Sequence, residues 1–267
     1  MAVCRSQSAA CGLLLIVSVA LAGCGTRPPV LPGGAAAPFP GFAAAYQDAT
    51  AACRGVRTIT ASMGMSGKAG STKLRGRIDA GFAAPDRARL EGVPPFGKPV
   101  FVLVAEGGRG TLVLTRENRV LRDAPPDQIV EALAGVRLGP DALRTVVSGC
   151  GFEGTPGEGR QYSNGWVAAS VGGGDIYLRR GTAGWEVGAA TRGPVTVTYA
   201  DFAGGRPATI RIRALADGRA TADLTLRLSD VEINTPLAPN VFQVELPDAP
   251  VPLSLDELRR AGPLGGS

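Results

Sequence analysis

The chain has 267 residues, with 28 Lys and Arg against 23 Asp and Glu, and a formal charge of +5 that is mild for its length. The cations are scattered and nearly all arginine, the only lysines being Lys68, Lys73 and Lys98, so no clustered nucleic-acid footprint is present. Histidine is absent, which excludes a Ser-His-Asp triad and most zinc sites.

In chain order, Arg5 precedes an apolar run from Gly12 to Ala22. A membrane-spanning helix needs about 20 apolar residues, and this run has the shorter length of a signal-peptide core. It ends in Leu21-Ala22-Gly23-Cys24, which resembles the lipobox of bacterial lipoproteins. The resemblance implies a signal peptide over residues 1–23 and a lipid-modified, palmitate-bearing Cys24 that acts as an anchor and not as a nucleophile. The competing reading is an uncleaved signal-anchor with an incidental cysteine. Gly25 stands where an Asp would retain an enterobacterial lipoprotein in the inner membrane, so the expected location is the outer membrane, with the domain facing the periplasm. Residues 24–41 complete this region as the lipidated Cys and a Pro/Gly/Ala-rich flexible tether.

From residue 42 to 250 the pattern predicts one domain. Phe42, Ala45, Tyr46 and Ala49 lie at helical spacing, predicting a helix over 42–54. The period then changes to two. Leu74, Gly76, Ile78 and Ala80 alternate with Arg75, Arg77 and Asp79, and Arg87, Arg89 and Glu91 alternate with Ala88, Leu90 and Gly92. Val100 to Val104 is a continuous apolar strand, followed by strands at Thr111–Thr115 and Arg119–Arg122. Two helices follow, one starting at Asp123–Asp127 and stopped by Gly135, the other running from Leu138–Asp141 to Ser148 and stopped by Gly149. Period two returns for predicted strands at 161–169, 175–180, 185–190, 194–200, 207–214, 221–232 and 241–246. In the C-terminal extension, residues 251–267, Ser254 and Glu257 form a capping box for a helix to Arg260.

The expected fold is therefore mainly β with α: a single curved antiparallel sheet with one polar and one apolar face. Around a dozen strands in one sheet curl. Several inward positions (Gly76, Ala80, Ala88, Gly92) are small, so a concave apolar face over them can enclose ligand-sized space. The competing reading is that the helices fill it. Cavity-lining candidates are Leu74, Ile78, Leu90, Val102, Val104, Leu112, Leu114, Ile129, Leu133, Leu143, Val146, Ile210 and Ile212, all equally suited to a plain core. After cleavage Cys53 and Cys150 are the only cysteines besides the acylated one, and an oxidising compartment favours a disulfide between them over two separate buried thiols. Glu91, Glu106, Asp175 and Glu186 sit singly, and the Gly-rich stretches fit neither a P-loop nor a dinucleotide fingerprint. No catalytic residue, metal or cofactor is expected. Trp166 or Trp185, if exposed, would favour a docking surface for another envelope protein.

The stretch Arg87 to Gly149 resembles LolB, the outer-membrane lipoprotein receptor of the Lol pathway, and its LolB-like relatives. The likeness is carried in order by Arg87-Ala88-Arg89-Leu90 leading to Pro95-Phe96-Gly97, by Ile129 to Val136, and by Leu138 to Gly149. Further on, Arg206 to Ile210 matches a family strand, and Asn240 to Pro247 looks like the final strand of the related carrier LolA. The resemblance implies a half-open β-barrel of about eleven strands, an α-helical lid and an apolar cavity for acylated molecules. Phe96 takes the place of a protruding, membrane-inserting Leu. The implied partners are the membrane, acylated cargo (lipoprotein or lipid) and a periplasmic carrier protein, with the chain a monomer that binds no nucleic acid.

Overall fold

A computed structural model describes residues 30–94 and 96–263. The predicted signal peptide (residues 1–23), the predicted lipidation site Cys24, and Pro95 lie outside the described residues. Among those described, no helix is long and apolar enough to cross a membrane.

The described residues form one open sheet of fifteen strands with four helices. A first run of strands comprises β1 (Ala36–Pro38), β2 (Thr58–Ala69), β3 (Thr72–Ala83), β4 (Arg87–Val93), β5 (Phe101–Glu106), β6 (Arg109–Leu114) and β7 (Arg119–Ala124). Helix α1 (Phe42–Ala49) lies between β1 and β2. Helices α2 (Pro126–Ala134) and α3 (Pro140–Ser148) follow β7. A second run comprises β8 (Arg160–Tyr162), β9 (Val167–Val171), β10 (Gly174–Arg180), β11 (Trp185–Arg192), β12 (Val195–Ala203), β13 (Arg206–Ala216) and β14 (Arg219–Ile233). A 3₁₀ turn at Pro239–Phe242, the short β15 (Val251–Pro252) and α4 (Leu255–Ala261) close the chain.

Two antiparallel meanders, β2 to β7 and β8 to β14, join where β14 pairs with β2. The chain leaves the first meander on one side of the sheet and enters the second on the other. The crossover between them carries α2 and α3, which is why these helices lie over the concave face. Pro occupies the first turn of each helix, where its missing N–H removes no intrahelical bond. Each ends on a left-handed glycine, Gly135 at φ 70° and Gly149 at φ 92°. At Gly135 a Cβ would lie 2.3 Å from the Thr221 carbonyl oxygen, so the lid approaches β14 backbone directly.

The predicted fold class holds: mainly β, a single curved sheet, half-open, lidded by helices. In β2 Ile59, Ala61 and Met63 are buried while Thr58, Thr60 and Ser62 are less so; in β14 Ala222, Leu224 and Leu226 alternate with Thr225 and Arg227. The strand count exceeds eleven. One excess arises at 161–169, predicted as one strand, which is a hairpin of β8 and β9 folded at Ser163-Asn164-Gly165. Others are short edge strands. The tether predicted for 24–41 ends sooner, because Ala36–Pro38 pairs with Arg160–Tyr162 at the sheet edge. The C-terminal extension is part of the fold: Val251–Pro252 pairs parallel with β7 and α4 packs on α2. The first helix stops at Ala49, five residues before its predicted end.

The strand predicted at 241–246 does not form. Arg89, on the outer face of β4, gives Nη1 to the carbonyls of Val241 (3.0 Å) and Gln243 (2.6 Å). Those carbonyls are thereby spent on a side chain and the segment runs as a strap across the outside of the sheet. It buries Phe242 there, with the Arg87 guanidinium 4.9 Å from its ring centre. The strap explains the continuous apolar run of β5, whose residues Phe101 to Ala105 are buried on both faces.

Candidate functional site

Two apolar cores underlie the lid. One spans α1, β9–β14, β2, β3 and α3; the other joins β5–β7, α2 and α4. Ile78 and Leu90 are only partly buried and touch both. A cavity follows this seam.

Its outer chamber has a volume of about 420 Å³ and opens to solvent. Strand β3 runs past the end of β4: their pairing starts at Arg77 opposite Val93, leaving Thr72 to Gly76 without a β4 partner. The mouth lies at this free stretch, bordered by Pro94 and Val100 at the roots of the β4–β5 loop and by Arg116 and Glu117 in the β6–β7 turn. Arg75 and Arg77 complete the charged rim. Inward, Met65, Ile78, Phe101, Leu133 and Ala134 line both the chamber and a second pocket of about 90 Å³ whose walls are wholly apolar. The lid closes this inner pocket with Val130, Leu138, Leu143 and Val147.

Small residues contribute unequally. A Cβ on Gly76 would meet nothing within 4 Å, so this glycine faces open space at the mouth. A Cβ on Gly92 would come within 2.4 Å of the Phe101 ring, which fills the space Gly92 leaves. Ala80 and Ala88 are buried core.

Of the predicted lining residues, Leu74, Ile78, Leu114 and Leu133 line the chamber, and Leu90, Leu143 and Ile212 line the inner pocket. Leu112, Ile129, Val146 and Ile210 are fully buried core residues that line neither. Val102 and Val104 are corrections. Phe101, Leu103 and Ala105 are the inward residues of β5, whereas Val102 faces a groove under the C-terminal strap and Val104 pairs with outward Arg89. The continuous apolar run hid this alternation. Met63 and Met65, missed in the sequence, continue the inward series of Ile59 and Ala61 on β2, and their flexible thioethers suit a variable lining.

Cys53 and Cys150 are bonded, joining the turn after α1 to the end of α3 across a sequence separation of 97. The same end of α3 has two further ties. Arg144, almost fully buried, donates Nη1 to the Val56 carbonyl and Nη2 to Asp141 (2.7 Å). Tyr199, on the sheet floor, donates its hydroxyl to the Val146 carbonyl (3.1 Å) and accepts the Gly151 N–H (3.1 Å). Burial drives the Tyr199 phenol far above its ordinary range, so it stays a neutral donor.

Phe96 is 93% exposed at the tip of the β4–β5 loop, beside the mouth, and does not pack on its own sheet. Glu91, Glu106, Asp175 and Glu186 each face an arginine (Arg89, Arg87, Arg160 and Arg179 respectively) and lie apart from the cavity walls. Among the described residues no group of three His, Cys, Asp or Glu is placed to hold a metal ion. Trp166 is buried; Trp185 packs edge-on against Phe39 (6.0 Å) and under the Arg180 guanidinium (4.1 Å). Neither presents a free indole for docking.

No family model matches the chain, and no curated protein matches it in sequence. Among solved structures it is similar to a LolA superfamily protein from Nitrosomonas europaea, at 12% identity and TM-score 0.48, covering 75% of this chain and 96% of that one. It is also similar to a domain named for outer-membrane lipoprotein sorting from Vibrio parahaemolyticus, at 13% identity and TM-score 0.45, covering 72% and 92%. A third is the lipoprotein LppX of Mycobacterium tuberculosis, at 13% identity and TM-score 0.34, covering 74% and 98%.

Proposed function

We propose that this chain is a lipid-anchored envelope protein that takes acyl chains, of lipids or of lipoproteins, into the seam cavity beneath its lid. The observation that carries the reading is an open chamber that adjoins a wholly apolar inner pocket, the two sharing five lining residues. Ligand pockets typically measure about 300–1,000 Å³, and the chamber falls in that range. The inner pocket falls below it, so a long chain enters only if α2 and α3 lift from Met65, Ile78 and Phe101. Burying each Å² of the chain contributes about 25 cal/mol. No step of this activity needs a catalytic group.

In this reading Cys24 carries the anchor at the outer membrane, the domain faces the periplasm as a monomer, and a periplasmic carrier delivers cargo. Phe96 stands beside the mouth, where an aromatic side chain can enter lipid as cargo passes.

The test is native mass spectrometry of the exported chain carrying Cys24→Ser, which removes the acylation site and no described element, followed by lipid extraction. Co-purified acyl compounds, or uptake of added palmitate, are the expected result. An empty protein that takes up no acyl compound would overturn the reading and leave a filled scaffold that serves as an assembly partner in the envelope.

A further inference from the structure

The charges at the mouth say more about the cargo than the walls do. Arg75, Arg77, Arg116 and Glu117 form its charged rim. Arg77 already holds Asp79 at 3.2 Å. Arg75 and Arg116 have no ion-pair or hydrogen-bond partner among the described residues, in contrast with outer-face arginines such as Arg89 with Glu91 and Arg211 with Asp223. The interior offers nothing polar, its inner walls being apolar side chains throughout. A charged head carried inside would lose its hydration with no compensation, so the head of any charged amphiphile must remain at the rim. There it meets two guanidinium groups whose planar forks match carboxylate and phosphate oxygens.

We infer that the cargo is an acyl chain bearing an anionic head, a carboxylate or a phosphate, held at the mouth by Arg75 and Arg116 while the chain lies along the seam. This rests on the acyl-binding reading above and narrows it to a lipid, since the acylated terminus of a lipoprotein brings no anion of its own to the rim.

The experiment is displacement of a fluorescent apolar dye from the exported Cys24→Ser chain by four competitors at pH 8. These are palmitate, lysophosphatidate, hexadecanol and a triacylated lipopeptide with an uncharged peptide. The expected result is tighter binding of palmitate, lysophosphatidate or both than of hexadecanol, and the preferred anion separates a fatty-acid source from a phospholipid source. The variant Arg75→Gln/Arg116→Gln should weaken the anions about tenfold, the scale of one charge-assisted hydrogen bond at an exposed site, and leave hexadecanol unchanged. Added salt should act on the anions alone. Equal affinity for the anions and hexadecanol, or equal loss of all of them in the variant, would overturn the inference and leave acyl binding standing. Tightest binding of the lipopeptide would overturn it in favour of lipoprotein cargo. No displacement by any competitor would remove both readings.

Discussion

At the scale of single residues, Cys53 and Cys150 show how far composition reaches. With Cys4 and Cys11 in the expected signal peptide and Cys24 expected to carry lipid, two cysteines remained to pair, and the fold brings them together with both side chains buried. Closing a loop of about 100 residues restricts the unfolded chain by roughly 3–5 kcal/mol. Cys53→Ala/Cys150→Ala should lower the stability measured by urea unfolding by that order, with the native circular dichroism retained. A midpoint within error of the parent would show that Arg144 and Tyr199 alone fix this end of α3. Phe96 was legible as a loop residue because prolines surround it, but its exposure was not, because the sequence does not say whether the loop folds back onto the sheet. Phe96→Ser should leave the thermal midpoint unchanged, since the ring touches little, and reduce binding of the Cys24→Ser chain to phospholipid vesicles about tenfold. That factor corresponds to losing one inserted aromatic side chain. Flotation of vesicles measures it, and undiminished binding would remove Phe96 from the membrane contact.

Single elements were legible where their bonding is local and obscure where it is not. The capping box of α4 was readable because Ser254 and Glu257 are three residues apart, and the structure has both of its bonds. The strand expected at 241–246 has the right alternation, yet its carbonyls go to Arg89, about 150 residues earlier, a partner no window of sequence contains. Helix α4 has a consequence for the lid, because Leu258 and Leu253 complete the core that holds Ile129 and Leu133, and Arg259 bonds Gln128 of α2 at 2.6 Å. Glu257 secures α4. The Ser254 backbone N–H and hydroxyl, and then Arg119 at 2.9 Å, pull its carboxyl from the usual 4.5 down to about 2. A lowered folded value stabilises above the unfolded value and loses that stability as pH falls through about 2. Amide protection in residues 255–261 should therefore be present at pH 6 and decline from about pH 4.5 downward, while the central strands β2 and β3 keep theirs. Glu257→Gln should show the weakened protection already at pH 6. Protection in α4 that is unchanged at pH 2 would mean that apolar packing alone secures it.

For the molecule as a whole, period-two alternation was enough to give one sheet with an apolar concave face, and the inserted helix pair was enough to give a lid. The depth of the cavity was not legible, and Gly76 and Gly92 show why. Both are inward glycines on neighbouring strands. Over Gly92 lies the ring of Phe101, from a strand whose unbroken apolar run concealed which residues point inward; over Gly76 lies nothing, because β4 ends before reaching it. Empty space is thus set by where a neighbouring strand stops, a property of the fold and not of the position. This difference yields a test of the cavity that does not touch its charges or its lid. Gly76 has no positive φ, so a larger side chain fits its backbone, and Gly76→Leu would place an isobutyl group in the open mouth without meeting another atom at its Cβ. A strand glycine is entropically costly, so this variant should be as stable as the parent or more so, by up to about 1 kcal/mol. It should nonetheless lose palmitate uptake at least tenfold, because the plug stands between solvent and the inner pocket. Gly92→Leu should do the reverse damage, displacing Phe101 and lowering the thermal midpoint. A Gly76→Leu protein that folds normally and still takes up acyl chains at the parental rate would mean that cargo enters elsewhere, beneath the lid.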